Sequence, residues 1–261
     1  MGEAELPEPL LYDLLQTPWY SSAEYNHART LELKAALERI GGRAADEGAR
    51  SAAVAQGNRR RAALAAFTEL RRRDPACVSG VEAQAVFAAC QAMAGDAFET
   101  AMAAVAAASL PPRRGPRIVL AGSGQPTPAL HRIVETAGAV VVGDFHEFGE
   151  LIAGPPIPED APPLRAIVEH YHRHVTSSRT FPQAPERLIE FARAARAEAV
   201  IFYFLFEEEA LTWEYPAQRE ALHRAGVATL CFESMPRRPE AAGVEAAIRG
   251  FVDGLRAGVT P

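Results

Sequence analysis

Four short apolar runs constrain this chain more than anything else in it. They read "RIVLAGS", "AVVVGD", "AVIFYFLF" and "VATLCFE", and they fall between residues 117 and 233. Each is short for a helix, rich in β-branched or aromatic residues, and bounded by glycine, proline or acidic residues, so each reads as a buried strand. Helical patterns separate and follow them: "TPALHRIVETAG" with Gly138 at its end, Pro163 to His174, Ala184 to Ala197, "YPAQREALHRAG", and Gly243 to Ala257. Strands alternating with helices pair in parallel through right-handed crossovers, which covers both faces of the sheet. The fold class is therefore α/β, a four-stranded parallel flavodoxin-like sheet with helices on both faces, preceded by an N-terminal helical bundle.

That bundle has a different texture, rich in Ala, Arg and Glu. Leu31, Ala35, Leu37 and Ile40 mark the apolar face of a first helix, with Ser21 or Ser22 as N-cap and Gly41-Gly42 as its end. A longer helix runs from about Ala44 to Arg73 and stops at Asp74-Pro75. Two shorter ones follow, Ser79 to Met93 and Asp96 to Ser109. The arginine runs at 59–61 and 71–73 read as solvated helix faces or contacts to a partner subunit. "LPPRRGP" is a linker by composition. The domains expected are thus a helical region at 1–112 and an α/β domain at 113–261.

Composition excludes several classes of function. The net charge of −6 gives no basic surface for nucleic acid. Cys77, Cys90 and Cys231 are widely spaced and form no CxxC, which fits a reducing compartment and argues against a disulfide framework. The first twenty residues lack the basic start and apolar core of a signal peptide, position 6 is Leu where myristoylation needs Ser or Thr, and no run of 18 apolar residues occurs. A cytoplasmic protein that engages neither membrane nor nucleic acid is expected.

In parallel sheets of this kind ligands bind beyond the carboxyl ends of the strands. Those ends carry Gly122-Ser123-Gly124, Asp144 to Gly149, Glu207 to Glu209, and Glu233-Ser234. "GSGQPTP" has Thr127 where a dinucleotide fingerprint needs its third glycine. It is either an amide-lined loop for an anionic group, with Thr127 capping the next helix, or a tight turn. Asp144, His146 and Glu147 together with Glu207, Glu208 and Glu209 could act as general acid and base, hold a hard or borderline divalent metal, or form a solvated rim that caps helix N-termini. His170 and His174 share a helical face at the spacing of zinc-binding pairs, but no HExxH accompanies them.

Two stretches carry a family resemblance. "RIVLAGSGQPTPALHRIVETAGAVVVGDF" and "RLIEFARAARAEAVIFYFLFEEEALTWEYPAQREALHRAGVATLCFES" resemble the C-terminal part of the 2-hydroxyacyl-CoA dehydratase and benzoyl-CoA reductase family, and "ARTLELKAALERIGG" fits its middle segment. The resemblance covers roughly residues 10 to 257. It implies a subunit of a heterodimer or larger complex that dehydrates a 2-hydroxyacyl-CoA or reduces an aromatic acyl-CoA. It further implies a [4Fe–4S] cluster on cysteine thiolates and an ATP-dependent electron activator.

Two departures set this chain apart from that pattern. The N-terminal α/β half with its cysteine has no counterpart. The remaining cluster positions fall at Glu147, one residue either way, and at Glu208. Carboxylates are poor substitutes for the soft thiolates such clusters take. The expectation is therefore a chain that binds no cofactor and no metal by itself and sits beside a cluster-bearing family subunit, on a CoA thioester substrate. His146, Glu147 and Glu208 are the candidate catalytic residues; Gly122, Ser123, Gly124, Asp144, Glu207 and Glu209 are candidates for substrate binding. The alternatives are a non-catalytic assembly or docking subunit and a stand-alone carboxylate/His metal enzyme.

Overall fold

The computed structural model describes residues 9–174 and 184–258. The residues read for N-terminal targeting begin outside that range. Nearly every element stands where the hydrophobic periodicity placed it: α1 (Tyr20–Gly41), α2 (Glu47–Arg72), α3 (Gly80–Ala92), α4 (Ala97–Ala107), β1 (Arg117–Gly122), α5 (Ala129–Thr136), β2 (Val140–Phe145), α6 (Pro163–Arg173), α7 (Ala184–Ala194), β3 (Ala199–Leu205), α8 (Tyr215–Arg224), β4 (Ala228–Met235) and α9 (Glu245–Arg256). Short 3-10 turns occur at Glu150–Ile152 and Pro239–Ala242. Among the described residues, no helix is long and apolar enough to cross a membrane.

All four strands are parallel, in the order β2-β1-β3-β4. Residues of alternating parity feed opposite faces. Val119 and Ala121 of β1 and Val140 and Val142 of β2 join Leu188 and Ala192 of α7 and Leu222 of α8. Ile118 and Leu120 instead meet Leu130 and Val134 of α5 and Ile248, Phe251 and Val252 of α9. Helices therefore cover both faces, which is why the strands read as unbroken apolar runs rather than alternating ones. A third cluster gathers Leu64, Phe67 and Leu70 of α2 with Phe87 of α3 and Phe98 and Met102 of α4.

The compact units divide the chain differently from a cut at residue 112. One lies within 1–58 and 156–174, the other within 59–155 and 175–261, with the boundary inside α2. The reason is packing: the second half of α2, α3 and α4 build a core that includes Ile152 and Ala153, beyond the second strand.

The face of α1 also differs from the one expected. Leu31, Leu37 and Ile40 are exposed, Ile40 at 75%, whereas Ser22, Asn26, Thr30 and Ala36 are buried. Ser22, Asn26 and Thr30 recur at i, i+4, so they share a face, and hydrogen bonds rather than apolar contact hold it. Asn26 accepts from the Leu15 N–H at 2.7 Å and donates to the Leu15 carbonyl at 2.8 Å, while the hydroxyls of Tyr12 and Thr30 lie 3.0 Å apart. A pattern search for apolar residues is blind to such a face. The N-cap is Trp19 rather than a serine.

Gly143 shows how closely β2 is covered. A Cβ there would lie 2.6 Å from the Phe191 ring of α7 and 3.1 Å from Val119 Cγ2. Gly143→Ala is expected to destabilise the chain by about 1–3 kcal/mol through overpacking, measured as a lower urea midpoint with unchanged m-value.

Candidate functional site

Parallel sheets of this order open a crevice where neighbouring crossovers turn to opposite faces, here between β1 and β3. Ser123 laces that point shut. Its N–H donates to the Tyr203 carbonyl and its Oγ accepts from the Leu205 N–H, each at 3.0 Å. Gly122 has φ +99°, and a Cβ on it would sit 2.7 Å from the Tyr203 oxygen, so a side chain there is excluded twice over. Gln125, also buried, donates to the Ser123 carbonyl at 2.9 Å. The next amide, Gly124 N–H, donates to Glu147 Oε1 at 3.2 Å, and a Cβ at Gly124 would collide with that carboxylate. Thr127 leaves α5 uncapped: the N-cap falls at Pro128, with no side-chain cap bond.

The acidic triplet after β3 is arranged likewise. Glu208 Oε1 accepts from the Leu211 N–H at 3.0 Å and so caps its own turn, and Thr212 donates to the Glu209 carbonyl at 2.7 Å. Glu207 pairs with Arg237. Phe206 and Trp213, flanking the triplet, are exposed at 80% and 84%. Glu147 follows β2 and Glu208 follows β3, two strands separated by β1, and therefore about 10 Å apart where the strands end. The two carboxylates engage amides of different loops.

Behind this rim lies a buried charge cluster. Arg71, fully buried on α2, donates through Nη2 to Asp144 Oδ2 at 2.7 Å and to the Val141 carbonyl at 3.2 Å. Its Nη1 donates to Glu150 Oε1 at 2.7 Å, and the second oxygen of Glu150 accepts from Arg72 Nη2 at 3.1 Å. Phe87 stacks its ring 5.6 Å from the Arg71 guanidinium. The run at 71–73, expected to face solvent or a partner, thus supplies an internal cation. Arg60 of the other run turns to the end of α3, donating to the carbonyls of Cys90, Met93 and Gly95. Desolvated guanidiniums need paired acceptors, and folding provides them here.

Asp144 is also the hub for two imidazoles. His131 Nε2 lies 2.6 Å from Asp144 Oδ1, and His146 Nε2 lies 3.5 Å from the same oxygen. All three side chains are fully buried. Burial pushes Asp144 up, but His131 and Arg71 outweigh it and hold the carboxyl well below its ordinary 3.8. For Glu150 burial wins: despite Arg71 and Arg72 it is pushed up to about 7. Sequence reasoning found Asp144 and His146 but missed His131, Arg71 and Glu150. The one available signal for His131 was its place beside Leu130 and Val134 on the buried face of α5.

The sequence candidates therefore separate by environment. Ser123, Gly124, Asp144 and His146 are buried, Glu147 and Glu208 are half-buried, and Glu207 and Glu209 are exposed. His170 and His174 bring their rings to 5.2 Å. Among the described residues, however, His131, Asp144 and His146 are the group of three whose ligand atoms approach closely enough for a metal ion. Cys77 precedes α3, Cys90 lies within α3, and Cys231 lies in β4, its thiol pushed up to about 11 mainly by burial. This donor set does not fit a cluster held by several thiolates.

Fold and site together define a doubly wound α/β protein whose strand ends present carboxylates tied to backbone amides. Residues 5–255 match the family described as 2-hydroxyglutaryl-CoA dehydratase, D-component, and the chain belongs to that family. No curated protein matches it significantly.

Two outcomes test the charge cluster. Asp144→Asn leaves Arg71 with half its compensation in a water-free site, so a loss of about 3–5 kcal/mol is expected in chemical denaturation. Glu150 makes a pH signature. Its folded pKa of about 7 lies above its ordinary 4.5, so the folded chain holds this proton more tightly than the unfolded chain. The stability it contributes is complete below pH 4.5 and is lost as pH rises toward 7, at up to about 1.4 kcal/mol per pH unit. Glu150→Gln should flatten that part of the urea-midpoint profile, and an unchanged slope refutes the assignment.

Proposed function

We propose that this chain is a subunit of an acyl-CoA dehydratase or reductase complex, one that supports the acyl-CoA site beside a partner carrying the iron–sulfur cluster. The observation that carries this reading is the span of the family match, residues 5–255; the resemblance adds the expectation that the cluster positions fall at Glu147, one residue either way, and Glu208. Electron transfer then belongs to the partner and its ATP-dependent activator. What this chain supplies is the rim of its parallel sheet. Ser123 and Gly124 shape the loop after β1, Glu147 orders that loop, and Glu207 to Glu209 present charge and carbonyl groups near the edge where a substrate would lie. Asp144 and His146, being buried, act on the rim by positioning rather than by contact. Of the set, Glu147 and Glu208 are best placed to exchange a proton with a bound thioester.

A second reading rests on those same carboxylates. Each is already committed to a loop amide, as expected of a docking subunit that keeps the fold without the chemistry. Glutamine retains the acceptor and removes the charge, so Glu147→Gln with Glu208→Gln separates the readings. Activity of the assembled complex should fall by about 10²–10⁴ if a proton moves through either group; unchanged activity supports the docking subunit. Assembly itself is checked by native purification of the tagged chain with iron and acid-labile sulfide quantified. Recovery with an iron-bearing partner is expected. A lone monomer without affinity for CoA thioesters would remove the proposal.

A further inference from the structure

We propose that His131, Asp144 and His146, with the side-chain amide of Gln84 beside them, form a buried site for one divalent ion of the zinc class. The ligand atoms come from three places in the fold: His131 from α5, Asp144 from β2 and His146 from the turn that follows it. None lies more than 4.8 Å from another. Ligands 2.0–2.1 Å from a tetrahedral ion stand about 3.3 Å apart. The 3.5 Å separation of His146 Nε2 from Asp144 Oδ1 already meets that geometry, and the 2.6 Å separation of His131 from the same oxygen opens as an ion enters.

The second observation is His146 itself. It is fully buried, its Nε2 has only the long 3.5 Å approach to Asp144 Oδ1, and its Nδ1, like that of His131, has no hydrogen-bond partner. Buried polar atoms are almost always satisfied, and an imidazole held in this way beside a carboxylate and a second imidazole is arranged as a ligand. Asp144 is turned for the same purpose. Arg71 occupies Oδ2, which leaves Oδ1 toward the two histidines. Glycines bring the surrounding backbone close: a Cβ at Gly80 would lie 2.7 Å from His131 Cδ2, and one at Gly149 would lie 2.4 Å from Asp144 Cβ. Both ligands are therefore held from behind by backbone.

Gln84 completes the set. Its Nε2 lies 3.4 Å from His131 Nε2, a nitrogen that already faces Asp144. If that nitrogen carries the proton shared with Asp144, an amide NH₂ against it sets donor against donor. Reversing the amide places an oxygen there, and the two ends of a glutamine amide are interchangeable by shape. Two imidazoles, one carboxylate and one neutral oxygen favour a borderline ion over Ca²⁺ or Mg²⁺, which take oxygen ligands. With four protein donors, all buried, the site is closed, so the ion has a structural role: it fastens α5 to the end of β2. It shares Asp144 and His146 with the rim-positioning role given above, but metal binding at the site is tested without the acyl-CoA reading.

The test uses the full chain, expressed in medium supplemented with Zn²⁺ or Co²⁺ and passed through gel filtration. Elemental analysis should find about one ion per folded chain, and the Co²⁺ form should show visible d–d absorption. His146→Ala removes a ring whose one polar contact within the protein is the 3.5 Å approach to Asp144, so the variant should fold, by circular dichroism and elution volume, and retain at least tenfold less metal. His170→Gln with His174→Gln should leave the stoichiometry unchanged. Wild-type chain that carries no ion after expression in Zn²⁺ and after refolding with equimolar Zn²⁺ overturns the site, leaving a shared proton as the occupant. So does His146→Ala that keeps its ion, or loss of the ion in the His170/His174 variant.

Discussion

A guanidinium with no access to water anchors the α/β unit. Arg71 leaves α2 and meets two carboxylates and a backbone carbonyl, all contributed by β2 and the turn after it. An isolated charge in such a place costs several kcal/mol, and the two acidic partners offset that cost only if β2, its turn and α2 hold one register. The apolar cores on the two faces of the sheet fix strand register by side-chain alternation, and this ionic contact adds a demand of its own. It converts a generic sandwich of helices and strands into one with a fixed relation between the second half of α2 and the end of β2.

Much of the architecture was legible because it rests on periodicity. The four apolar runs became the four parallel strands, and the helical repeats became helices within a few residues of their expected ends. What periodicity could not report is polar burial. The inward face of α1 is Ser22, Asn26 and Thr30, which a hydrophobic pattern scores as surface. Arg71 sits in an arginine run that any rule assigns to solvent, and its burial depends on acidic partners more than seventy residues away. His131 gave one faint sign, a histidine on an apolar helix face, with nothing to say that Asp144 would meet it.

The strand-end residues show the same division. Sequence located the rim, since the carboxyl ends of parallel strands are fixed by topology. It could not tell which carboxylates are free. Glu147 and Glu208 are both drawn onto backbone amides, Glu207 onto Arg237, and the triplet that prompted an active-site reading is partly a set of caps. A carboxylate beside an unpaired loop amide finds it at almost no entropic cost, because the two are close in the chain or on neighbouring strands. Family membership says what kind of protein this chain is, and the hydrogen bonds say how far its strand-end side chains are already committed.

Rim and buried cluster meet in one turn, and this determines how the chain can influence chemistry at its surface. His146 and Glu147 are adjacent; the first points into the cluster, the second reaches the amide of Gly124. Gly149 N–H closes the turn by donating to the His146 carbonyl at 2.9 Å, and the backbone at Gly149 presses on Asp144. Three residues thus link a group with no solvent access to a loop at the mouth of the sheet. Asp144 is held on one side by Arg71 and on the other by the backbone at Gly149, and Glu147, next to His146, is tied to the loop after β1. The hydrogen bond from Gly124 N–H to Glu147 thus joins the loop after β1 to the turn that carries the buried cluster.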